Sequence, residues 1–317
     1  MELYSGVHQI ASLFGGRNLY QYLFVGDNSV LADTGISSTP EKVIFPFFER
    51  VKLKPENLTF AITTHSDLDH QGGNAAIKRM SPGTLLACGE ADRQLVEHPQ
   101  VLYDRRYNHL KPEHDVALDE KASPDAGEPC PMDLTFTGGE KIRLREDWVL
   151  DVLHLPGHSH GHLALYDSKH RAAFTGDAVQ GSGCPKATGG IAIPVTYYYV
   201  DTYLATIRYL EGLELDALYT GHWPAMRGEE IKDFFADSRR TVEFFDRTIL
   251  SSLKKAPKGL NMKQLVASCA EAAGDWPSDG QILAMYPIKG HMDRLEQHGK
   301  VRRVPDSRPV RWVLSES

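Results

Sequence analysis

The chain has 317 residues, 41% of them hydrophobic, enough for a full core in one large domain plus a small one. A formal net charge of -7 and a pI near 6.1 argue against a protein built mainly to coat nucleic acid and favour small-molecule chemistry. No window approaches the ~20 apolar residues of a membrane span, and Met1 to Gly6 lack the order of a secretion signal, so the expected compartment is the cytoplasm.

Short strands open the chain, predicted from Val7 to Leu13, Leu19 to Val25 and Val30 to Ala32, the last running into Asp33-Thr34-Gly35. A helix from Pro40 to Val51 follows, and then a strand from Leu58 to Thr64. That strand delivers His65-Ser66-Asp67-Leu68-Asp69-His70, in which four metal-capable side chains crowd one loop. In an extended loop, residues two apart point the same way. His65, Asp67 and Asp69 would therefore converge while His70 turns in from the next bend, a geometry suited to two adjacent metal ions.

From about His98 to Gly139 the prolines and charges leave no sustained apolar period, which predicts a long insertion serving as a lid or a partner surface. Strands are then predicted from Lys141 to Leu144, Trp148 to Leu155, His162 to Tyr166, Ala172 to Phe174 and Ala217 to Thr220, with a helix from Asp201 to Leu210. Two such halves suggest a layered α/β sandwich. Three of these strands end in Pro156-Gly157-His158, Thr175-Gly176-Asp177 and Gly221-His222, where a turn residue before each metal-capable side chain lets it reach back over the strand ends.

After Gly228 the pattern becomes helical, with helices predicted from Ile231 to Leu253, Asn261 to Ala273 and Gln281 to Gln297. A hairpin-like pair, Lys300 to Val304 and Val310 to Leu314, closes the chain in the order of a winged-helix module. Lys289, Arg294, Lys300, Arg302, Arg303, Arg308 and Arg311 make this tail locally basic. Cys88, Cys130, Cys184 and Cys269 form no CxxC pair and imply neither a disulfide framework nor a thiolate zinc site.

Through Asp33-Thr34-Gly35, the loop from His65 to Gly73, Pro156-Gly157-His158, Thr175-Gly176-Asp177 and Gly221-His222, residues 1 to 228 resemble the metallo-β-lactamase fold superfamily. The resemblance implies a four-layer αββα sandwich over 1–228, followed by a helical, winged-helix-like domain over 229–317. It also implies a first metal site of His65, Asp67 and His158, a second of Asp69, His70 and His222, and Asp177 as the bridging carboxylate. Asp33 and His162 fall where the family supports its ligands from behind, and His160 is expected to face solvent. The remaining histidines, among them His8, His98, His109 and His114, default to surface or loop positions.

The implied activity is a dinuclear metal-dependent hydrolase, in which hydroxide formed between the metals attacks a small ester, lactone or thioester and Asp69 also passes a proton to the leaving group. Asp67 departs from the family pattern, which has histidine there. A carboxylate is a harder donor that shifts preference toward iron or manganese, but aspartate remains an acceptable zinc ligand, so zinc is expected first with iron or manganese kept open. Two other readings stand beside the hydrolase: a ribonuclease or phosphodiesterase using the basic tail, which resembles an extension of an endoribonuclease branch, and a di-iron redox protein. Tyr197 and Tyr199 are expected to share a side and face the metals, with Trp223 as another wall. The expected partner is a small-molecule substrate, and a homodimer through the insertion or the tail is kept open.

Overall fold

A computed structural model describes residues 1–118 and 122–315. Residues 119–121 of the expected insertion and 316–317 of the tail lie outside the described residues. Seven strands, β1 (Glu2–Tyr4), β2 (Val7–Phe14), β3 (Arg17–Phe24), β4 (Ser29–Ala32), β5 (Leu58–Thr63), β6 (Leu85–Gly89) and β7 (Leu134–Phe136), form one sheet in sequence order. The pairs from β1 to β4 are antiparallel and those from β4 to β7 parallel.

The second sheet contains β8 (Lys141–Arg145), β9 (Trp148–His154), β10 (Leu163–Asp167) and β11 (Ala172–Phe174). A two-stranded ribbon, β12 (Cys184–Pro185) and β13 (Ile191–Ile193), stands apart, and β14 (Ala217–Tyr219) completes the second sheet parallel to β11. In β9 the alternate residues Trp148, Leu150 and Val152 are buried against the first sheet, as period-two strand geometry requires. Phe174 is 1% exposed and meets Tyr22, Phe24 and Tyr219 at ring separations of 5.0, 4.7 and 4.7 Å. Phe174→Ala is expected to cost about 3–5 kcal/mol, measured by denaturant unfolding.

On the outer face of the first sheet, Ile44, Phe45, Phe47 and Phe48 of the helical segment 40–50 cover Leu23, Leu31 and Leu86. The outer face of the second sheet is covered by helices Val200–Glu211 and Glu229–Lys255, which completes an αββα sandwich. The tail adds helices Met262–Ala273 and Met285–Gln297 and strands β15 (Leu260–Asn261), β16 (Val301–Arg303) and β17 (Arg311–Leu314), ordered β15-β17-β16. The expected strand pair thus gains a third strand. Tail residues Met262, Leu265, Tyr286, Ile288, Met292 and Trp312 share one buried cluster with Leu155, Ala173, Tyr197 and Tyr203.

Three expectations need correction. The loop after β5 is extended only briefly: it bends through 64–67 and becomes a helical turn at Leu68–Gln71, so Asp69 and His70 come from helix and the two-apart argument does not carry them. The insertion is not structureless. It holds helical segments Pro99–Leu102, Tyr103–Tyr107 and Lys111–His114, and Leu102, Tyr103 and Tyr107, with Leu110 just before the third, enter the core. Segments of four or five residues are too short to show a 3.6-residue period, which is why the sequence hid them.

His114 is the third. It is 1% exposed, stacked on Trp312 at 5.0 Å, and neither ring nitrogen has a hydrogen-bond partner among the described residues. Burial first, and then the Lys289 ammonium, push it down to about 4. An unfolded chain titrates this group near ~6.5. Its contribution to stability is therefore intact above that value and lost as pH falls through it toward about 4. Equilibrium unfolding on acidification should show this loss, and His114→Phe should flatten it.

Candidate metal centre

Four strand ends deliver donors to one edge of the sandwich. The turn after β5 supplies His65, Asp67, Asp69 and His70, the turn after β9 His158, the turn after β11 Asp177 and the turn after β14 His222. Their donor atoms form three groups, His65–Asp67–His158, Asp69–His70–His222 and His65–His70–Asp177, each within 4.8 Å. His65 Nε2 lies 3.7 Å from Asp67 Oδ2, His70 Nε2 3.7 Å from Asp177 Oδ1, and His222 Nε2 3.6 Å from Asp69 Oδ2 and 3.4 Å from Asp177 Oδ2.

The histidines are aimed by what holds their other nitrogens. His65 Nδ1 meets Thr64 Oγ1 at 3.0 Å, His70 Nδ1 meets Asp33 Oδ2 at 2.8 Å, and His222 Nδ1 donates to Asn18 O at 2.8 Å. Fixing Nδ1 leaves Nε2 free to face the centre. Among the described residues, His65 Nε2 and His70 Nε2 are buried without a hydrogen-bond partner. Leaving two such atoms dry and unpaired is costly, and a metal ion relieves it. With imidazoles and carboxylates at zinc-compatible spacing, the donor set fits divalent cations.

Asp33 adopts φ 64 and binds the backbone of Thr64 at 2.7 Å and its hydroxyl at 2.9 Å, tying β4 to the metal loop. His162 stacks on His65 at 4.7 Å, and its Nε2 accepts the Asp177 amide at 3.2 Å. Gly221 has no room for a side chain: a Cβ there would meet Asp177 Oδ1 and His70 Cε1 at 2.6 Å each. Gly221→Ala should lower metal content by elemental analysis while the far-UV circular dichroism stays unchanged.

Electrostatics without a metal follow from crowding. Burial opposes ionisation of Asp177, but the His222 and His70 rings hold its carboxyl well below the carboxylate range. Asp69 is likewise lowered against burial, by His70, His222 and Arg17. His70 rises to about 9 against burial because Asp33 and Asp177 flank it. His158 falls to about 4, through burial and then the Arg106 guanidinium.

Arg106 and Tyr107 are two site residues that sequence reasoning missed. Arg106 Nε donates to Asp67 Oδ1 at 2.5 Å and Nη2 to Oδ2 at 3.0 Å, and Tyr107 Oη donates to Oδ1 at 3.2 Å. Both come from the segment expected to be a loose insertion, where the only signal was two aromatics and two arginines in Tyr103-Asp104-Arg105-Arg106-Tyr107.

The structure does not bring Tyr197 to the centre. It is fully buried, stacked on Tyr203 at 4.2 Å, with its hydroxyl 2.9 Å from His291 Nε2, whose Nδ1 pairs with Asp246 at 2.8 Å. Residues 195–199 form no strand, so the alternation that placed Tyr197 beside Tyr199 does not apply. Tyr199 instead lies against exposed His160, with ring centres 3.9 Å apart and the planes tilted by 32°, in a neighbouring cavity of about 520 Å³. Trp223 donates its ring N–H to Gly183 O at 2.9 Å and stands behind His222 beside Cys184.

The cavity over the donors measures about 170 Å³, with Asp67, Asp69, Asp177 and His222 on its floor. Phe14, Arg17, Tyr107 and Leu118 form walls, and Leu283 and Tyr286 of the tail close it.

The Metallo-beta-lactamase superfamily profile matches residues 15–222, a span that contains all seven donors. The cytoplasmic hydroxyacylglutathione hydrolase of Arabidopsis thaliana is 27% identical over 55% of this chain and 54% of its own length. A hydroxyacylglutathione hydrolase of Pelagibacter ubique is 24% identical over 64% and 66%, and the atrochrysone carboxyl ACP thioesterase of Aspergillus novofumigatus 27% identical over 49% and 47%. The chain thus spans about half to two thirds of the length of these curated relatives. Two solved structures extend the likeness of fold through the tail, both at 16% identity. A metallo-beta-lactamase family protein from Thermus thermophilus matches with a TM-score of 0.76 over 98% of this chain and 99% of its own, and a beta-lactamase domain protein from Burkholderia ambifaria with 0.79 over 99% and 94%.

Proposed function

The chain belongs to the metallo-beta-lactamase superfamily, and from that premise we propose that it is a metal-dependent hydrolase of small acyl esters, with thioesters as the favoured class. The observation that carries the reading is the convergence of seven donors at one edge of the sandwich, four of them on one cavity floor, with the inward nitrogens of His65 and His70 buried and, among the described residues, unpaired. His65, Asp67 and His158 would hold one cation and Asp69, His70 and His222 the other, with Asp177 between them. Two such cations would supply Lewis acidity and bring the pKa of a water toward ~7.

The chain's own residues do the rest. Asp33, Thr64 and Asn18 hold the imidazoles at fixed angles, so little reorganisation is needed during reaction. Asp69 faces the cavity beside Asp177, where its Oδ2 can take a proton and return it to the departing group. Phe14, Leu118 and Leu283 line the cavity with apolar surface that excludes bulk water. A volume of about 170 Å³ suits a short acyl group with its leaving group outside. The thioester preference draws on the names of the relatives, hydroxyacylglutathione hydrolase and ACP thioesterase.

The pairing of the tail's charges speaks for a small molecule over RNA. Lys289 pairs with Asp293, Arg294 with Asp201 and Asp246, and Arg303 with Glu296 and Glu113, leaving fewer free cations for phosphates. The test is a panel of acyl thioesters, lactones and single-stranded RNA offered to zinc-loaded protein. Thioester or lactone turnover that disappears in His222→Ala supports the reading; RNA cleavage without ester turnover overturns it.

A further inference from the structure

Asp67 replaces the neutral imidazole of the common loop with a charged carboxylate, and Arg106 answers it. We infer that Arg106 is a built-in cation of the first metal site, one that cancels the charge of Asp67 and competes with a metal for the site's lone pairs. The two metal sites are therefore unequal, and the second, Asp69–His70–His222, is the tight one. The inference rests on the metal-dependent reading above.

Geometry carries the argument. Nη2 of Arg106 lies 3.0 Å from Asp67 Oδ2 and 3.1 Å from His158 Nε2, two of the three donor atoms that the first site needs. His158 Nε2 also lies 2.9 Å from Asp67 Oδ2. In the tautomer that metal binding requires, with Nε2 unprotonated, arginine, which has donors only, engages the lone pair a metal would take. The other carboxylate oxygen of Asp67 is already shared by Arg106 Nε and Tyr107 Oη. Forked pairing of this kind is the strongest form of the arginine–carboxylate bond.

The guanidinium is held in place rather than loosely swung in. Its Nη1 donates to His158 O at 3.1 Å, its carbon lies 5.9 Å from the centre of the Tyr286 ring, and the side chain is 11% exposed. Among the described residues the second site lacks such a competitor: Arg17 Nη2 stands 3.6 Å from Asp69 Oδ2, beyond hydrogen-bond reach, and His70 Nε2 has no hydrogen-bond partner.

Charge counting gives the same asymmetry. His65, Asp67 and His158 carry one negative charge, which the always-cationic Arg106 cancels, so the first site presents the net charge of three imidazoles. The harder-metal preference that Asp67 alone would bring is offset. Asp177 lies between the sites and counts toward both, whereas the charge of Asp69 is met by Arg17 only at 3.6 Å, which leaves the second site the more attractive to a dication.

Calorimetric titration of the metal-stripped full chain with zinc, with bound metal counted by elemental analysis, tests the inference. The wild type should take up zinc in two steps separated by at least ~10-fold in affinity, and Arg106→Gln should tighten the weaker step by ~10-fold or more. Asp67→Asn should lose the weaker step and keep the tighter, and it carries the test alone if Arg106→Gln does not fold. Two equal steps in the wild type, an unchanged ratio in Arg106→Gln, or loss of the tighter step in Asp67→Asn would overturn it. A chain that binds no zinc sinks the metal-dependent reading itself, whereas two equal steps sink only this inference.

Discussion

Asp177→Ala should lower the rate of ester hydrolysis by at least ~10³-fold, about 4 kcal/mol of transition-state stabilisation, without unfolding the chain. Asp177 is the donor whose group joins His65 of one set to His70 of the other. Its Oδ1 stands 3.7 Å from His70 Nε2 and its Oδ2 3.4 Å from His222 Nε2. Truncation removes the anion that offsets these rings and leaves their nitrogens facing an empty space. Gln180, which donates to Oδ2 at 3.3 Å, cannot supply that charge. The loss should appear in kcat rather than KM, because the cavity walls that bind the acyl group are untouched. Elemental analysis of the same variant should show less bound metal, and unchanged thermal unfolding of the metal-free protein would separate this from a structural defect.

Ending the chain at residue 257 should abolish folding rather than release an active sandwich. Tyr197, Tyr203 and Phe245 are all but fully buried, and their burial depends on Met285, His291 and Met292 of the last helix. Trp312, also fully buried, belongs to the same cluster. At roughly 25 cal/mol per Å² of apolar surface, exposing several side chains of this size costs more than the ~5–15 kcal/mol that holds a domain together. The buried chain Asp246–His291–Tyr197 would lose its middle member as well, leaving a phenol and a carboxylate without their partner. Soluble expression, circular dichroism and proteolysis of the truncated chain check this. A folded, metal-binding fragment would mean that the sandwich and the tail are independent.

Much of this was legible because chemistry at strand ends leaves a strong trace. Period-two burial marked β9, and turn residues before His158, Asp177 and His222 marked the places where side chains reach back. What escaped the sequence was carried by short or aperiodic segments. Arg106 lies in a five-residue helical turn that shows no apolar period, yet it provides the closest cation to Asp67. Tyr197 looked like a pocket residue because it follows the Asp177 turn, but whether a phenol faces a cavity or a core depends on what packs over it. Here the covering element is the last helix, whose His291 lies 94 residues further on. His114 escaped for the same reason, since Trp312 reaches it only in the folded chain.

The central claim, that hydrolysis depends on metal held by these seven side chains, is tested most directly by thioester hydrolysis before and after chelation and zinc reloading. The account predicts that activity vanishes with the metal and returns in proportion to the zinc taken up. Undiminished hydrolysis by fully stripped protein would contradict it.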